Sequence, residues 1–342
     1  MDVTLILGTA VNAVVPILLL ILLGYGLRRI GFINENFIRI GNKLVFNICL
    51  PTMLFINVYD TEGFASIKWD VVVYTVGVIV LLFAVSFAIA LAGTKAPERR
   101  GVIMQCVYRS NFAIIGIPLA NALGGGDAMM MTAMLSAFSI PAFNIFSVIS
   151  LTIFMKGKEN GKIDLKGICL NILKNPLIIG VVSGLVFLGL RQMQLDLLGG
   201  IRFSLSRDVK PLYQALCSIK DITSPFALIV LGGQFTFSAV KGAFREIAIG
   251  TVSRVVLAPV VGIGLAVLLS RYTDLLHCGV NEYPALIALF GSPVAVSSAV
   301  MASEMKNDEQ LATQLVVWTS VCSILTIFLT VCIMMPAGLL AA

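Results

Sequence analysis

Residues 109–125 read RSNFAIIGIPLANALGG, and this stretch combines the composition of a membrane span with residues that interrupt helices. It opens with Arg109 and Asn111, and Gly116 and Pro118 lie in its middle. Proline removes a backbone donor and collides with the carbonyl four residues before it, and glycine loosens the turn. In hydrocarbon an orphaned backbone group costs several kcal/mol, so an interruption persists only inside protein or beside a water-filled cavity. The stretch therefore predicts a transmembrane helix that is broken where it lines a site.

The rest of the chain has the composition of a helical membrane protein. Of its 342 residues, 58% are hydrophobic and only 12% are charged, whereas about 25% of the residues of a soluble domain are charged. A helix needs about 20 apolar residues to cross the hydrocarbon core. The stretches without Asp, Glu, Lys or Arg are Val3–Leu27, Val71–Thr94, Ala128–Met155, Ile222–Val240, Tyr283–Ser303 and Leu311–Ala342. We therefore expect an all-α polytopic protein embedded in the lipid bilayer.

Several function classes are disfavoured by what the sequence lacks. No basic run is interleaved with aromatic residues, so no nucleic acid partner is expected. The seven cysteines show no CxxC spacing and His277 is the single histidine, so neither a metal site nor a cofactor is expected. Phosphate loops, GxSxG and HExxH motifs are also missing from the sequence, and we predict that the protein is not an enzyme.

Hydropathy predicts ten membrane segments, and the distribution of Lys and Arg predicts their orientation. The segments cover about 8–28, 38–58, 71–92, 101–123, 129–155, 175–190, 221–240, 247–270, 283–304 and 312–335. Most basic loops lie inside if the N-terminus is outside, and an even number of crossings then places the C-terminus outside as well. The expected location is the inner membrane of a bacterium.

A basic connector at 156–174 divides the ten segments into two halves of five, residues 1–155 and 175–342. Because five is odd, the second half is inverted in the membrane relative to the first, as in many secondary transporters. The fourth segment of the second half repeats the glycine–proline interruption as Gly291-Ser292-Pro293. Proline favours the first position of a helix, so the half-helices after both breaks are expected to aim their positive ends at the middle of the membrane. Two such ends attract an anion.

At these residues the sequence resembles the auxin efflux carrier family in its short prokaryotic, organic-anion permease-like form, within the bile-acid, arsenite and auxin transporter superfamily. The resemblance rests on NKLVFNICLPTMLF (42–55), RSNFAIIGIPLANALGG (109–125), NPLIIGVVSGLVF (175–187) and GSPVAVSSAVMASEMKND (291–308). It implies ten helices in two inverted repeats, with a scaffold formed by segments 1, 2, 6 and 7. It further implies that segments 3–5 and 8–10 form a transport domain, broken in segments 4 and 9, which carries small organic anions by an elevator-type movement. A homodimer through the scaffold is also implied.

The predicted substrate site lies at the two interruptions. Its candidate residues are Asn111, Gly116, Pro118, Gly291, Ser292, Pro293, Ser297 and Arg254. Two interpretations of Arg254 remain open, since it lies deep in a predicted span: it is the counter-charge of the substrate, or it caps carbonyls freed by Pro259. Arg109 and Glu304 are expected at the same face of the membrane, either as separate interface anchors or as an inner gate.

Two further functions remain open beside that of an organic-anion carrier, whose substrates include auxin-like acids and dicarboxylates. One is a sodium-coupled anion symporter of the bile-acid type, and the other is a ligand sensor that uses the same fold without transport. No carboxylate lies near the middle of a predicted span. This favours uniport, or coupling to an ion that backbone carbonyls hold.

Overall fold

The computed structural model describes residues 3–60, 68–154, 174, 176–198, 200, 203–235 and 238–340. Within these ranges all regular secondary structure is helical, and an isolated β-bridge joins two non-helical segments. Seven helices are long and apolar enough to cross a membrane by their length and composition. The predicted connector at 156–174 lies outside the described residues apart from residue 174.

The helices follow the order of the predicted segments. Their bounds are α1 Val3–Arg29, α2 Glu35–Tyr59, α3 Trp69–Gly93, α4 Pro97–Tyr108, α5 Ile117–Ile153, α6 Pro176–Leu198, α7 Lys210–Gln234, α8 Gly242–Tyr272, α9 Glu282–Gly291, α10 Ser297–Glu304 and α11 Glu309–Met334. The predicted fourth segment is covered by α4 and the first part of α5, and the ninth by α9 and α10. Gly125, with φ at 67°, kinks α5 between the predicted fourth and fifth segments.

Three π-helical turns each lie two residues before a proline. They span Val45–Cys49 in α2, Phe112–Gly116 ahead of α5, and Ser253–Leu257 in α8, and the prolines are Pro51, Pro118 and Pro259. The carbonyl that a proline ring would strike belongs to the residue four positions earlier, which is the middle residue of the π turn in all three cases. A wider turn at this point makes room for the ring, so the chain remains helical through each of these prolines.

This arrangement corrects the predicted position of the first break. Residues 112–118, which include Gly116 and Pro118, are helical. The backbone leaves helical geometry earlier, at Arg109–Asn111. The glycine–proline pair was expected to interrupt the helix at its own position, and the π turn is the reason that it does not.

The first two helices of each predicted half pack on those of the other half. α1 packs mainly on α7, and α2 packs mainly on α6. Both contacts depend on glycine, because a Cβ at Gly24 would overlap the carbonyl oxygen of Ile229 and a Cβ at Gly180 would overlap that of Pro51. The remaining helices pack around α5, α9 and α11. Large exposed apolar side chains such as Val73, Val260 and Ile333 cover the outside of the protein, as expected of a surface that faces lipid.

Candidate functional site

Two non-helical segments meet in the interior of the protein. Arg109–Asn111 follows α4, and residues 292–296 separate α9 from α10. The segments pair as an antiparallel β-bridge between Ser110 and Val294, and Asn111 N donates to Pro293 O at 2.8 Å. Each segment therefore satisfies backbone groups that the other would leave unpaired, which is what an apolar interior requires. We call the two segments together the crossing.

Arg254 supports the crossing from behind. Its side chain is fully buried, and its Nε donates to Ser292 O at 2.8 Å. The other two nitrogens donate to the backbone carbonyls of Val107, Leu289 and Phe290 at 3.0–3.2 Å. These carbonyls belong to the C-terminal ends of α4 and α9, where the helix dipole is negative. Arg254 thus acts as a cap, but for the two interrupted helices rather than for carbonyls freed by Pro259.

A cavity lies beside the crossing, and Arg254 is not among the residues that line it. It encloses about 590 Å³ of space, part of which is open to solvent. One wall is formed by α2 and α7, and the other by the crossing and α5. The lining residues are Leu50, Met53, Leu54, Asn57, Arg109, Ser110, Asn111, Phe112, Ile140, Phe143, Asn144, Thr223, Ser224, Ala227, Ala295, Val296 and Ser297.

Asn111 and Ser110, which line this cavity, carry polar groups that no other group of the protein uses. Both side chains are at least 95% buried, with exposed fractions of 4% and 5%. The side-chain nitrogen of Asn111 and the hydroxyl of Ser110 have no hydrogen-bond partner. A buried donor without a partner costs free energy, and native proteins rarely leave one without a reason. These two groups can bind a polar ligand without giving up an existing bond.

Arg109 lies in the crossing and lines the cavity. The side chain is 4% exposed, so it does not extend to the surface as an interface anchor. Its guanidinium donates to Asn144 Oδ1 at 2.9 Å, to Ser297 Oγ at 2.7 Å and to the sulfur of Met301. An interface anchor was expected here, but the guanidinium instead donates its hydrogen bonds to acceptors inside the protein.

The structure does not bring Arg109 and Glu304 together. The ion pairs within the described ranges do not include this one. Glu304 follows Ser297 by seven residues of α10, which corresponds to about 10 Å along the helix. A gate between the two side chains therefore has no support in this conformation.

We expect that swapping the charges of Arg109 and Glu304 in a double variant does not restore ligand binding. Arg109→Glu should abolish binding because a carboxylate would face Asn144 and Ser297 in place of the guanidinium. Adding Glu304→Arg should leave binding abolished, since the new arginine lies about two turns of helix away. Ligand-dependent thermal shift of the purified variants measures this, with Glu304→Gln as the single-site control. Recovery in the double variant would instead establish the gate.

The other predicted site residues lie outside the cavity lining. Gly116 lets the π turn approach α9, because a Cβ there would lie 3.2 Å from Ala288 O. Ser292 is fully buried, and its hydroxyl donates to the same carbonyl at 2.6 Å. Pro293 and Gly291 form the second segment of the crossing and the helix end before it. Ser292 and Pro293 belong to the crossing and Gly116 and Gly291 lie in the helical segments next to it, whereas Asn111 and Ser297 line the cavity.

The cavity wall formed by α2 and α7 was not predicted from the sequence. Asn57, Thr223 and Ser224 reach the cavity from α2 and α7. Asn144 contributes from α5 and holds its amide in place by donating to Ile140 O at 2.7 Å. The sequence does show polar residues in these apolar spans. Such residues do not by themselves mark a binding site, because they also form hydrogen bonds between neighbouring transmembrane helices.

The comparisons with known proteins concern nearly the whole chain. The model of a family described as membrane transport protein matches residues 9–331. An uncharacterized transporter of Methanocaldococcus jannaschii is 23% identical over 325 residues, which cover 93% of this chain and 96% of that protein. The family is one of membrane transporters rather than of enzymes, and the match confirms the resemblance found in residues 42–55 and 109–125. The chain is an integral membrane protein that belongs to the membrane transport protein family, the family of the auxin efflux carriers.

Proposed function

We propose that this protein is a secondary carrier for a small organic anion. The observation that carries the proposal is the cavity beside the crossing, which is lined by Arg109, with its guanidinium, and by Asn111, whose side-chain nitrogen has no partner. Both groups are hydrogen-bond donors, and donors held in a buried site bind carboxylates strongly. The proposed substrate is accordingly a carboxylate.

The position of the cavity between two groups of helices supports an elevator-type movement. The wall from α2 and α7 belongs to the proposed scaffold, formed by α1, α2, α6 and α7. The opposite wall belongs to the proposed transport domain, and it carries the crossing with both donors. A substrate bound to the crossing would move with the transport domain past the apolar scaffold side chains Leu50, Leu54 and Ala227. Alternating exposure of one site to both sides then follows from rigid-body movement.

The reciprocal packing of α1 on α7 and of α2 on α6 supports two inverted five-helix halves. In this proposal the ten spans comprise α1, α2, α3, the α4–α5 crossing helix, the part of α5 after Gly125, α6, α7, α8, the α9–α10 crossing helix and α11. The protein lies in the inner membrane with both termini outside, and a homodimer forms through the scaffold.

The test combines binding with transport. Purified protein is screened by thermal shift against mono- and dicarboxylates and indole acids, because a ligand that binds only the folded form raises the melting temperature. The radiolabelled form of each hit is then offered to proteoliposomes. Uptake above that of protein-free liposomes supports a carrier. Thermal shift without any uptake contradicts the proposal and favours a ligand sensor, and strict dependence of uptake on a sodium gradient favours the symporter.

We expect Asn111→Ala to weaken binding while leaving the protein folded. The substitution removes a donor that has no partner in the protein, so stability loses little, whereas the substrate loses one hydrogen bond to a charged group. The expected loss of affinity is about tenfold or more. The concentration dependence of the thermal shift measures it. Asn47→Ala is the matched control, because Asn47 bonds to Lys43 O on the exposed side of α2 and does not line the cavity. Unchanged affinity in Asn111→Ala would remove this residue from the site.

A further inference from the structure

The guanidinium of Arg109 forms no ion pair with a carboxylate among the residues that the structure describes. Of the described residues that line the cavity, Arg109 is the only charged one. Its hydrogen-bond acceptors are an amide oxygen, a hydroxyl and a thioether sulfur, all of them neutral. No carboxylate in the described part of the chain lies within 4.0 Å of its guanidinium.

Two other arginines of the transport domain show how such a charge is compensated. Arg99 pairs with Glu246 and Asp308 at 2.9 Å each. Arg254 donates to four backbone carbonyls, of which Val107, Leu289 and Phe290 lie at the negative ends of α4 and α9. The acceptors of Arg109 include neither a carboxylate nor a carbonyl at the negative end of a helix.

Two helical segments add to the positive potential at this point. α10 begins at Ser297, whose hydroxyl bonds to Arg109. The helical path that leads into α5 begins at Phe112, which also lines the cavity. The N-terminal end of a helix carries a partial positive charge. The cavity therefore lacks one negative charge that the described residues do not supply.

We propose that the substrate carboxylate supplies this charge and that the protein consequently works as an anion exchanger rather than as a free uniporter. This inference rests on the proposed carrier function and adds the coupling mode. With a carboxylate bound, the Arg109 site is neutral when the transport domain passes the scaffold. Without one, an uncompensated guanidinium has to pass through the same low-dielectric barrier, which is strongly unfavourable. Return of the unloaded transport domain is therefore slow, and return with a second anion is fast.

The exchange is balanced in charge. One monovalent anion enters for each monovalent anion that leaves, and Arg109 keeps its proton throughout. No ion gradient is needed, which agrees with the lack of a carboxylate near the middle of the spans.

The experiment compares uptake into loaded and unloaded proteoliposomes. Wild-type protein is reconstituted in vesicles that contain unlabelled lactate or indoleacetate, or buffer alone, and radiolabelled lactate or indoleacetate, both monovalent anions, is added outside. We expect loading with the same anion to accelerate uptake by about tenfold or more, since the unloaded return is limited by an unneutralised buried charge. Equal rates in loaded and unloaded vesicles would overturn the exchange mechanism and leave the carrier function intact. No uptake of either probe under both conditions would overturn the two together.

Charge variants assign the effect to Arg109. In Arg109→Gln the unloaded return no longer carries a charge, so the ratio of loaded to unloaded uptake should fall to near one, measured at a substrate concentration raised to offset weaker binding. Arg109→Lys keeps the charge and should keep the ratio well above one. Arg39→Gln is the matched control, because it removes one positive charge from an exposed side chain far from the cavity lining. An unchanged ratio in Arg109→Gln, or a ratio of one in Arg109→Lys, would contradict the role of the guanidinium.

Discussion

Replacement of Arg254 by methionine is expected to destabilise the protein more than any other single substitution considered for the crossing. Methionine has a similar length and fits an apolar site, but it donates no hydrogen bonds. The carbonyls of Val107, Leu289, Phe290 and Ser292 would each lose the guanidinium as a partner. A buried polar group that loses its partner costs roughly 1–3 kcal/mol, so the combined loss should exceed about 3 kcal/mol, which is comparable with the loss of a buried ion pair.

The unfolding temperature in detergent, and the yield of monodisperse protein, measure this effect. Arg245→Met is the matched control on the same helix, because Arg245 is exposed and makes a hydrogen bond to Ala92 O at 3.2 Å. Arg254→Lys should recover part of the stability, since an ammonium group can donate to some of the same carbonyls. A folded Arg254→Lys protein should also keep nearly normal affinity for its substrate, as Arg254 does not line the cavity. Stability equal to wild type in Arg254→Met would show that the crossing holds without its cap.

This prediction depends on knowledge that the sequence does not contain. An arginine in an apolar span predicts a partner in protein or water, and both interpretations of Arg254 satisfied that rule. The choice between them requires the position of α8 behind the ends of α4 and α9. Those ends are about 35 and 147 residues away along the chain, and the periodicity of a single segment carries no information on contacts at such distances.

The order of the helices was predictable because bilayer thickness fixes the length of apolar stretches and charged residues delimit them. The interruption after Gly291 was predicted from the Gly291-Ser292-Pro293 pattern, and the backbone does leave helical geometry there. The break before α5 was misplaced by several residues. There the π turn Phe112–Gly116 accommodates Pro118, so the helix continues through the proline. A proline in a sequence does not reveal whether the helix ends at that point or forms a wider turn.

The candidate site was predictable in part for the same reason. Asn111 and Ser297 flank the interruptions, and residues beside a break have free space and unpaired backbone groups near them. Thr223 and Ser224 face the cavity only because α7 packs against α2. Their role depends on the tertiary arrangement, and nothing in their local sequence distinguishes them from serines and threonines that bond to their own helix.

A second large effect is expected at the contact between α1 and α7. Gly24 on α1 faces the carbonyl of Ile229, and Gly232 on α7 faces the carbonyl of Ile21, so that the two backbones are in close contact at two points within about one turn of each helix. A Cβ at either glycine would overlap backbone rather than a movable side chain. Gly24→Ala and Gly232→Ala should therefore each force the helices apart and cost between about 1 and 3 kcal/mol. Gly26→Ala is the control, because no atom lies within 4 Å of a Cβ at that position of the same helix, and alanine is favoured over glycine in helices.

The double substitution distinguishes a shared contact from two separate ones. If α1 and α7 move apart as rigid helices, the first alanine already makes much of the room that the second one needs. The loss of stability in Gly24→Ala with Gly232→Ala should then be clearly smaller than the sum of the two single losses, by about 0.5 kcal/mol or more, as for other residues coupled through a backbone shift. Thermal unfolding of the four proteins in one detergent measures this coupling. Strictly additive losses of stability would mean that the protein adjusts independently at Gly24 and at Gly232. In that case α1 and α7 would not form a rigid pair, and the proposed scaffold requires a rigid pair against which the transport domain can move.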